Sequence, residues 1–381
     1  MLVDEGDAFS SVLLNKSINN IKAKRIFQTV DQKVRSGSDT NLRIIEVGVE
    51  EKATGLITAG AGVGTTGTSV MFAVEENNFL GRGVMLLSSA EISEESLRGR
   101  FTVNNPNYKF SGNSLNFTAE SSKIDRLEKS GYESTKSGFS LGSRFQQYQD
   151  IYFSPNVSLY YDDVQTSSSA SSSMKKMDGE YFDFDFTYSI ISDKRNQRFM
   201  PTAGHIYNFS QGLPVYSDAP SISNSFTFSY YKEVTEDLIG SIKIYTKAIN
   251  PLGSEDVKIS KRLHIPSSML RGFEKGGIGP KDGTDHVGGN YAALLSFNAA
   301  LPNLFPESTN TDIGLFFDTA NLWGVDYDNS IDESSGLRAA TGINASLLTP
   351  LGPLTWTLSH VLVKQSTDRD ESFRFRLGTT F

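Results

Sequence analysis

Phe373-Arg374-Phe375-Arg376-Leu377-Gly378-Thr379-Thr380-Phe381, the last stretch of the chain, decides the fold class by its alternation. Phe373, Phe375, Leu377, Thr379 and Phe381 fall on one side, and Ser372, Arg374, Arg376, Gly378 and Thr380 on the other. Successive side chains of a β-strand point to opposite faces, so this is a strand with one apolar face and an aromatic carboxy-terminal residue. A strand of this kind closes a transmembrane β-barrel, with its apolar face against lipid and Arg374 and Arg376 against a wet lumen. An edge strand of a soluble sandwich alternates in the same way, so the decision passes to the rest of the chain.

Composition favours the barrel. The 381 residues include 33 glycines, 11% aromatic residues and no cysteine, which removes disulfides and thiolate metal sites. Mean hydropathy is slightly negative, and no run approaches the ~18 apolar residues of a transmembrane helix. A barrel strand hides its lipid face in alternation, so low hydropathy is compatible with a membrane protein. The net charge of −8 argues against a nucleic-acid partner. Met1-Leu2-Val3-Asp4-Glu5-Gly6 has neither the basic nor the apolar region of a signal peptide, which suggests a mature form or a fragment.

Residues 1–52 read differently from the remainder. Ala8 to Ile26 fits an amphipathic helix with Phe9, Val12, Leu13, Ile18 and Ile21 as its apolar stripe. Strand-like runs from Phe27 to Val34 and Leu42 to Val49 flank the turn cluster Ser36-Gly37-Ser38-Asp39. One helix and two strands bury too little to stand alone, so this is read as the back end of a small α+β module.

From residue 53 to 381 short strands recur, near 55–63, 66–76, 82–92, 96–104, 113–123, 137–147, 151–161 and 179–190. They continue near 203–211, 222–233, 238–249, 288–299, 311–321, 336–347, 352–362 and 371–381. The expected fold is thus an all-β transmembrane barrel of about 16 antiparallel strands, preceded by the partial α+β module. Loops are expected to alternate, short on the periplasmic side, as at Glu75 to Arg82 and Thr349 to Pro353, and long outside. Residues 162–178, with the serine tract 167–173, read as a flexible outer loop. The longest connection, about 250–287, is the sixth extracellular loop, and a loop of that length usually has a task.

Inside it stands Leu270-Arg271-Gly272-Phe273. A bare tripeptide is a weak signal, and a solvated arginine is the bland alternative. A partner raises the other reading. In the strand Gly314 to Trp323, Leu315 and Phe317 would face lipid, which leaves Asp318 facing the lumen, where it could pair bidentately with the guanidinium. Glycines Gly55, Gly60, Gly62, Gly64 and Gly67 crowd the first barrel strand, which must pair with 371–381, and Gly378 stands on the other side of that seam. Glycine weakens a strand, so the seam would open easily and expose a templating edge, unless these glycines only relieve curvature and crowding. Conventional catalytic signals are missing. His205, His264, His286 and His360 lie in separate segments without ligand spacing, and no nucleophile or phosphate-binding motif occurs, so neither an enzyme nor a cofactor is expected.

Several segments together resemble the BamA family of outer-membrane barrel-assembly proteins. They are Val49-Glu50-Glu51 to Thr54-Gly55, Asn78-Phe79-Leu80-Gly81-Arg82-Gly83, Arg271-Gly272-Phe273, Phe317-Asp318 to Trp323, Pro350-Leu351-Gly352-Pro353-Leu354 and Phe373 to Phe381. The resemblance covers the end of the last POTRA domain and the whole barrel. It implies a sixteen-stranded barrel with a lateral seam, located in the bacterial outer membrane with its N-terminal module in the periplasm. The implied partners are unfolded outer-membrane protein clients, accessory lipoproteins and outer-membrane lipid. It further implies that Arg271, Gly272 and Phe273 tuck into the lumen toward Asp318, and that Phe373, Phe375, Leu377 and Phe381 resemble the signal read in clients. The family's second acidic partner is replaced by Asn298, a neutral acceptor, and the usual proline late in the fifteenth strand by Val361. Two other classes stay open. One is a related two-partner secretion or translocation-assembly pore with a dedicated client, and the other is a passive porin.

Overall fold

The computed structural model describes residues 3, 5–23, 26–39, 41–65, 67–198, 200–306, 311–331, 336–349 and 352–378. Helix α1 (Ser11–Ala23) is followed by an antiparallel pair, β1 (Phe27–Ser36) and β2 (Arg43–Glu51). The buried stripe of α1 is Leu14, Ser17 and Ile18, with Leu14 and Ile18 packed on Val30 and Ile21 against the same cluster. This corrects the expected stripe, because Phe9 precedes the helix and Val12 and Leu13 point to solvent. The i, i+4, i+7 spacing of Leu14, Ile18 and Ile21 selects one face, on which Val12 and Leu13 do not lie.

The barrel strands begin with β3 (Gly55–Gly64), β4 (Gly67–Phe79), β5 (Val84–Ser93), β6 (Ser96–Asn105) and β7 (Ser114–Arg126). Then come β8 (Tyr132–Tyr148), β9 (Ile151–Thr166), β10 (Gly179–Asp193), β11 (Gly204–Ser217), β12 (Ser221–Thr235) and β13 (Leu238–Pro251). Two-residue strands β14 (Lys281–Asp282) and β15 (Asp285–His286) pair within the long loop. The barrel resumes with β16 (Tyr291–Leu301), β17 (Thr311–Trp323), β18 (Arg338–Thr349), β19 (Gly352–Val363) and β20 (Phe373–Gly378). Among the described residues, sixteen strands form one closed antiparallel barrel in which sequence neighbours pair, and β20 meets β3. The expected Thr379, Thr380 and Phe381, like Pro350 and Leu351, lie outside the described residues.

Period-two alternation explains which way each wall faces. On β17, Leu315 and Phe317 are exposed on the outer surface while Phe316, Asp318, Ala320 and Leu322 are buried inside. On β3 the same period places Ile57, Ala59, Ala61 and Val63 outward, and Gly60, Gly62 and Gly64 together on the lumen face. That part of the lumen wall is therefore bare backbone.

The loops depart from the expected alternation. At the end of the barrel opposite the start of β3, the connections 94–95 and 218–220 are tight, whereas at the other end the one between β10 and β11 is long. A hairpin needs only a few residues, and the longest connection, 252–290, is the one whose residues are buried inside the barrel. The serine tract is also corrected. β9 continues to Thr166, helix α2 (Ser172–Lys175) follows, and Met174 is fully buried with Ala170 and Met177 against Ile259, Val287 and Val325. Ser171 Oγ donates to Asp282 (2.5 Å) and Ser173 Oγ to Asp328 (2.8 Å), so the tract is stitched to the long loop and to the β17–β18 connection. Met174→Ala should destabilise the protein by about 2–5 kcal/mol, seen as a lower thermal unfolding midpoint by circular dichroism in detergent. An unchanged midpoint would contradict this packing.

Candidate functional site

Residues 252–290 enter the barrel instead of covering it. Leu270, Phe273, Leu263, Ile265 and Ile278 are buried against Ala292, Leu294, Ala320, Leu322 and Ala340 of the barrel wall. A turn from Pro266, whose carbonyl accepts from the amides of Met269 (2.8 Å) and Leu270 (3.2 Å), presents Arg271 to β16 and β17. Gly272 has φ +89°, and a Cβ there would lie 2.8 Å from Cβ of Ala340 and 3.3 Å from side chains of Ser359 and Val361. Only glycine meets both the left-handed backbone and the close approach to the wall. Val361, which stands where the family's proline is expected, thus forms part of the seat for Gly272.

The Arg271 guanidinium donates through Nε to Asp318 Oδ2 (2.7 Å) and through Nη2 to Asp318 Oδ1 (2.7 Å). Its own amide also donates to Oδ2 (3.0 Å), and Ser296 Oγ donates to Oδ1 (2.7 Å). Asp318 is completely buried, and among the described residues these are the donors that satisfy its carboxylate. Asn298 Oδ1 accepts from Arg271 Nη2 (2.7 Å), and the guanidinium lies 3.7 Å from the ring centroid of Phe316. Bidentate pairing and stacking on a ring both use the planar fork of arginine. Sequence reasoning missed Phe316 and Ser296. Phe316 was available from its i, i+2 relation to Asp318, which places both on one face.

A second anchor was also missed. Lys258 is buried between Asp162 of β9 (2.9 Å) and Asp183 of β10 (2.7 Å), and Lys261 reaches Asp183 (2.9 Å). Ser134 (2.6 Å) and Ser260 (2.7 Å) donate to Asp162, and Ser217 (2.6 Å) to Asp183. Arg262 pairs with Asp326, donates to Asn290 (3.0 Å) and lies over Tyr327 (4.8 Å). The loop is therefore held by buried ionic knots on two separate parts of the wall, at β16–β17 and at β9–β10. Breaking such a pair by removing one partner costs far more than an exposed salt bridge.

The seam glycines serve close approach at two positions. β20 pairs with β3 through Arg376↔Gly64, Leu377↔Val63 and Gly378↔Gly62. A Cβ on Gly64 would stand 2.5 Å from the carbonyl oxygen of Phe375, and one on Gly378, with φ +97°, 2.2 Å from that of Ala61. Gly55 lies at the far end of β3, where a Cβ would make ordinary contact with Glu76. Gly67 opens β4 with φ +107°. Phe373 and Phe375 stack with centroids 6.3 Å apart, and Phe373 is exposed on the outer face.

The loop also brings together two histidines from separate segments. Both ring nitrogens of His264 are sealed from solvent and, among the described residues, have no hydrogen-bond partner. Burial, then the charge of Arg126, pushes its imidazole down to about 3. Burial, then Arg369 and Lys281, pushes His286 down to about 4.

Two expectations follow from this site. Arg271→Ala leaves Asp318 buried and unpaired and should cost about 3–5 kcal/mol, while Arg271→Lys, which keeps charge but loses the fork, should fall between it and the parent. Equal unfolding midpoints for all three would show a solvated arginine. For the histidines, neither the folded nor the unfolded chain binds a proton above the ordinary value of 6.5, so stability there is indifferent to them. Below it the unfolded chain takes protons that the folded chain excludes, and stability falls by up to about 1.4 kcal/mol per pH unit per histidine. The fall continues toward pH about 4 for His286 and about 3 for His264. His264→Phe should flatten the decline of the unfolding midpoint between neutral and acidic pH, and a parallel decline in parent and variant would refute this.

Residues 78–381 match the Omp85 superfamily domain. The chain is 23% identical over its full length to the outer membrane protein assembly factor BamA of Neorickettsia risticii, covering 52% of it. It is 23% identical over 88% of its length to the BamA of Neisseria meningitidis serogroup B, covering 48%. The chain thus spans about half the length of the curated relatives it matches. Its fold is shared with the crystal structure of BamA from Haemophilus ducreyi lacking POTRA domains 1–3, with a TM-score of 0.86 at 23% identity, covering all of this chain and 80% of that one. The closed barrel with an apolar outer face places the protein in the bacterial outer membrane. With four-fifths of its residues inside the superfamily's own domain, the chain belongs to the Omp85 superfamily.

Proposed function

We propose that this protein folds and inserts β-barrel proteins into the bacterial outer membrane, using the seam between β20 and β3 as a lateral gate. The observation that carries the reading is the glycine-built seam. β20 meets β3 at Gly62 and Gly64, and Gly60, Gly62 and Gly64 leave the lumen face of β3 without the side-chain pairs that stabilise a sheet. A client's terminal strand would add to the edge of β3, where backbone hydrogen bonds supply affinity without regard to client sequence. An alternating aromatic ending like Phe373, Phe375 and Leu377 would supply recognition. Lipid offers no partner for open edges, so each strand added lowers the penalty for leaving the next unpaired.

The activity needs no covalent chemistry. We read α1, β1 and β2 as the C-terminal part of a POTRA domain on the periplasmic side, which would receive unfolded clients and accessory lipoproteins. The similarity to assembly factors supports the same reading. The chain has no native cysteine, so a disulfide engineered between Val63→Cys and Leu377→Cys, direct partners across the seam, is free of competing thiols. Its oxidation should abolish assembly of unrelated outer-membrane barrels in cells that depend on this protein, and reduction should restore it. Undiminished assembly with complete cross-linking would sink the gate.

A further inference from the structure

We infer that Arg374 is a positioning residue that fastens the strand on the movable side of the seam to the lumen-anchored loop, so that β20 and the Arg271 segment shift together. The inference deepens the gate reading and rests on it. Arg374 is the second residue of β20, with its side chain half-buried on the lumen side. Nη1 donates to the carbonyl of Ser267 (2.6 Å) and Nη2 to that of Phe273 (2.7 Å). These carbonyls flank Leu270-Arg271-Gly272, so one guanidinium spans the turn that carries the lumen pair. Glu371 Oε2 accepts from Nε (2.9 Å) and Nη2 (2.5 Å) of Arg374 and fixes the plane of the fork. A lysine ammonium, with one nitrogen, cannot span both carbonyls in this way.

The backbone makes the same connection. The amide of Glu371 donates to Gly272 (2.9 Å), that of Glu274 to Arg369 (3.0 Å) and that of Arg369 to Gly277 (2.9 Å), with an antiparallel bridge between Phe273 and Asp370. Residues 369–374, which lead into β20, are thus paired with the loop at the level where β20 begins. Swinging β20 away from β3 must either break the Arg374 fork or pull residues 267–274 with it. That segment is held by Arg271 on Asp318. The lumen pair and the seam are therefore in series, with Arg374 as the side-chain link beside these backbone bonds. Lys258, on Asp162 of β9 and Asp183 of β10, is outside this series.

The test follows the closed seam in purified protein in detergent, using the extent of Val63→Cys to Leu377→Cys disulfide formation at a fixed oxidation time. Loss of the charge-assisted fork in Arg374→Ala should reduce closed-seam trapping roughly ten-fold, with Arg374→Lys also reduced. Arg271→Ala should act in the same direction, and the double variant should be no worse than the stronger single one. Lys258→Ala, which loosens the loop elsewhere, should lower the unfolding midpoint without changing trapping. Unchanged trapping in Arg374→Ala, additive effects of Arg271→Ala and Arg374→Ala, or an equal effect of Lys258→Ala would each overturn the inference. Altered trapping in Arg374→Ala with normal barrel assembly in cells would leave the coupling standing and remove the gate reading instead.

Discussion

A β-sheet in hydrocarbon cannot leave N–H and C=O groups on an open edge, and every other feature of this chain is arranged around that constraint. Closure requires β20 to reach β3, and the two backbones meet where Gly64 and Gly378 leave room for the opposing carbonyls. Glycine therefore has two effects at one place. It removes the side-chain pairs that stabilise a sheet, and it permits an approach that any Cβ would prevent. The bare lumen face at Gly60, Gly62 and Gly64 extends the first effect along β3.

A barrel of sixteen strands encloses more space than its inward side chains fill, and the 252–290 loop supplies the missing core. Its apolar residues pack on the wall, while Arg271, Lys258 and Arg262 are buried against fixed partners at Asp318, at Asp162 with Asp183, and at Asp326. A buried ion pair is weak evidence for net stability but strong evidence for a unique arrangement, since either partner alone is severely penalised. The loop is accordingly registered on both parts of the wall. Arg338 with Asp368, both fully buried, extends the same device to the β19–β20 connection.

The barrel was legible because period two is a local signal. Each strand was found close to its place, and the outward Leu315 and Phe317 put Asp318 in the lumen by counting alone. The helix stripe was misread because Val12 and Leu13 are apolar without lying on the face of Leu14, Ile18 and Ile21. The serine tract looked flexible because composition cannot reveal Asp282 and Asp328, more than a hundred residues away, as its partners. Lys258 was illegible for the same reason, and alternation put Arg374 in the lumen without revealing its partners on the loop. A charged residue in a loop reads as solvated until the fold supplies the partner that buries it.

The departure at Asn298 can now be weighed in physical terms. A second carboxylate beside Arg271 would add attraction, but it would also place two like charges around one guanidinium in a poorly solvated lumen. Here Asp318 already accepts both arms of the fork, the Arg271 amide and the Ser296 hydroxyl, while Asn298 takes the remaining bond from Nη2 without adding charge. Phe316 closes the open face of the cation. Asp318 thus holds the guanidinium as a single carboxylate, with the cation of Lys243 close enough to feel both charges of the pair. Parting the pair would leave one cation and one carboxylate to be rehydrated, a smaller reorganisation than an arginine between two carboxylates would require.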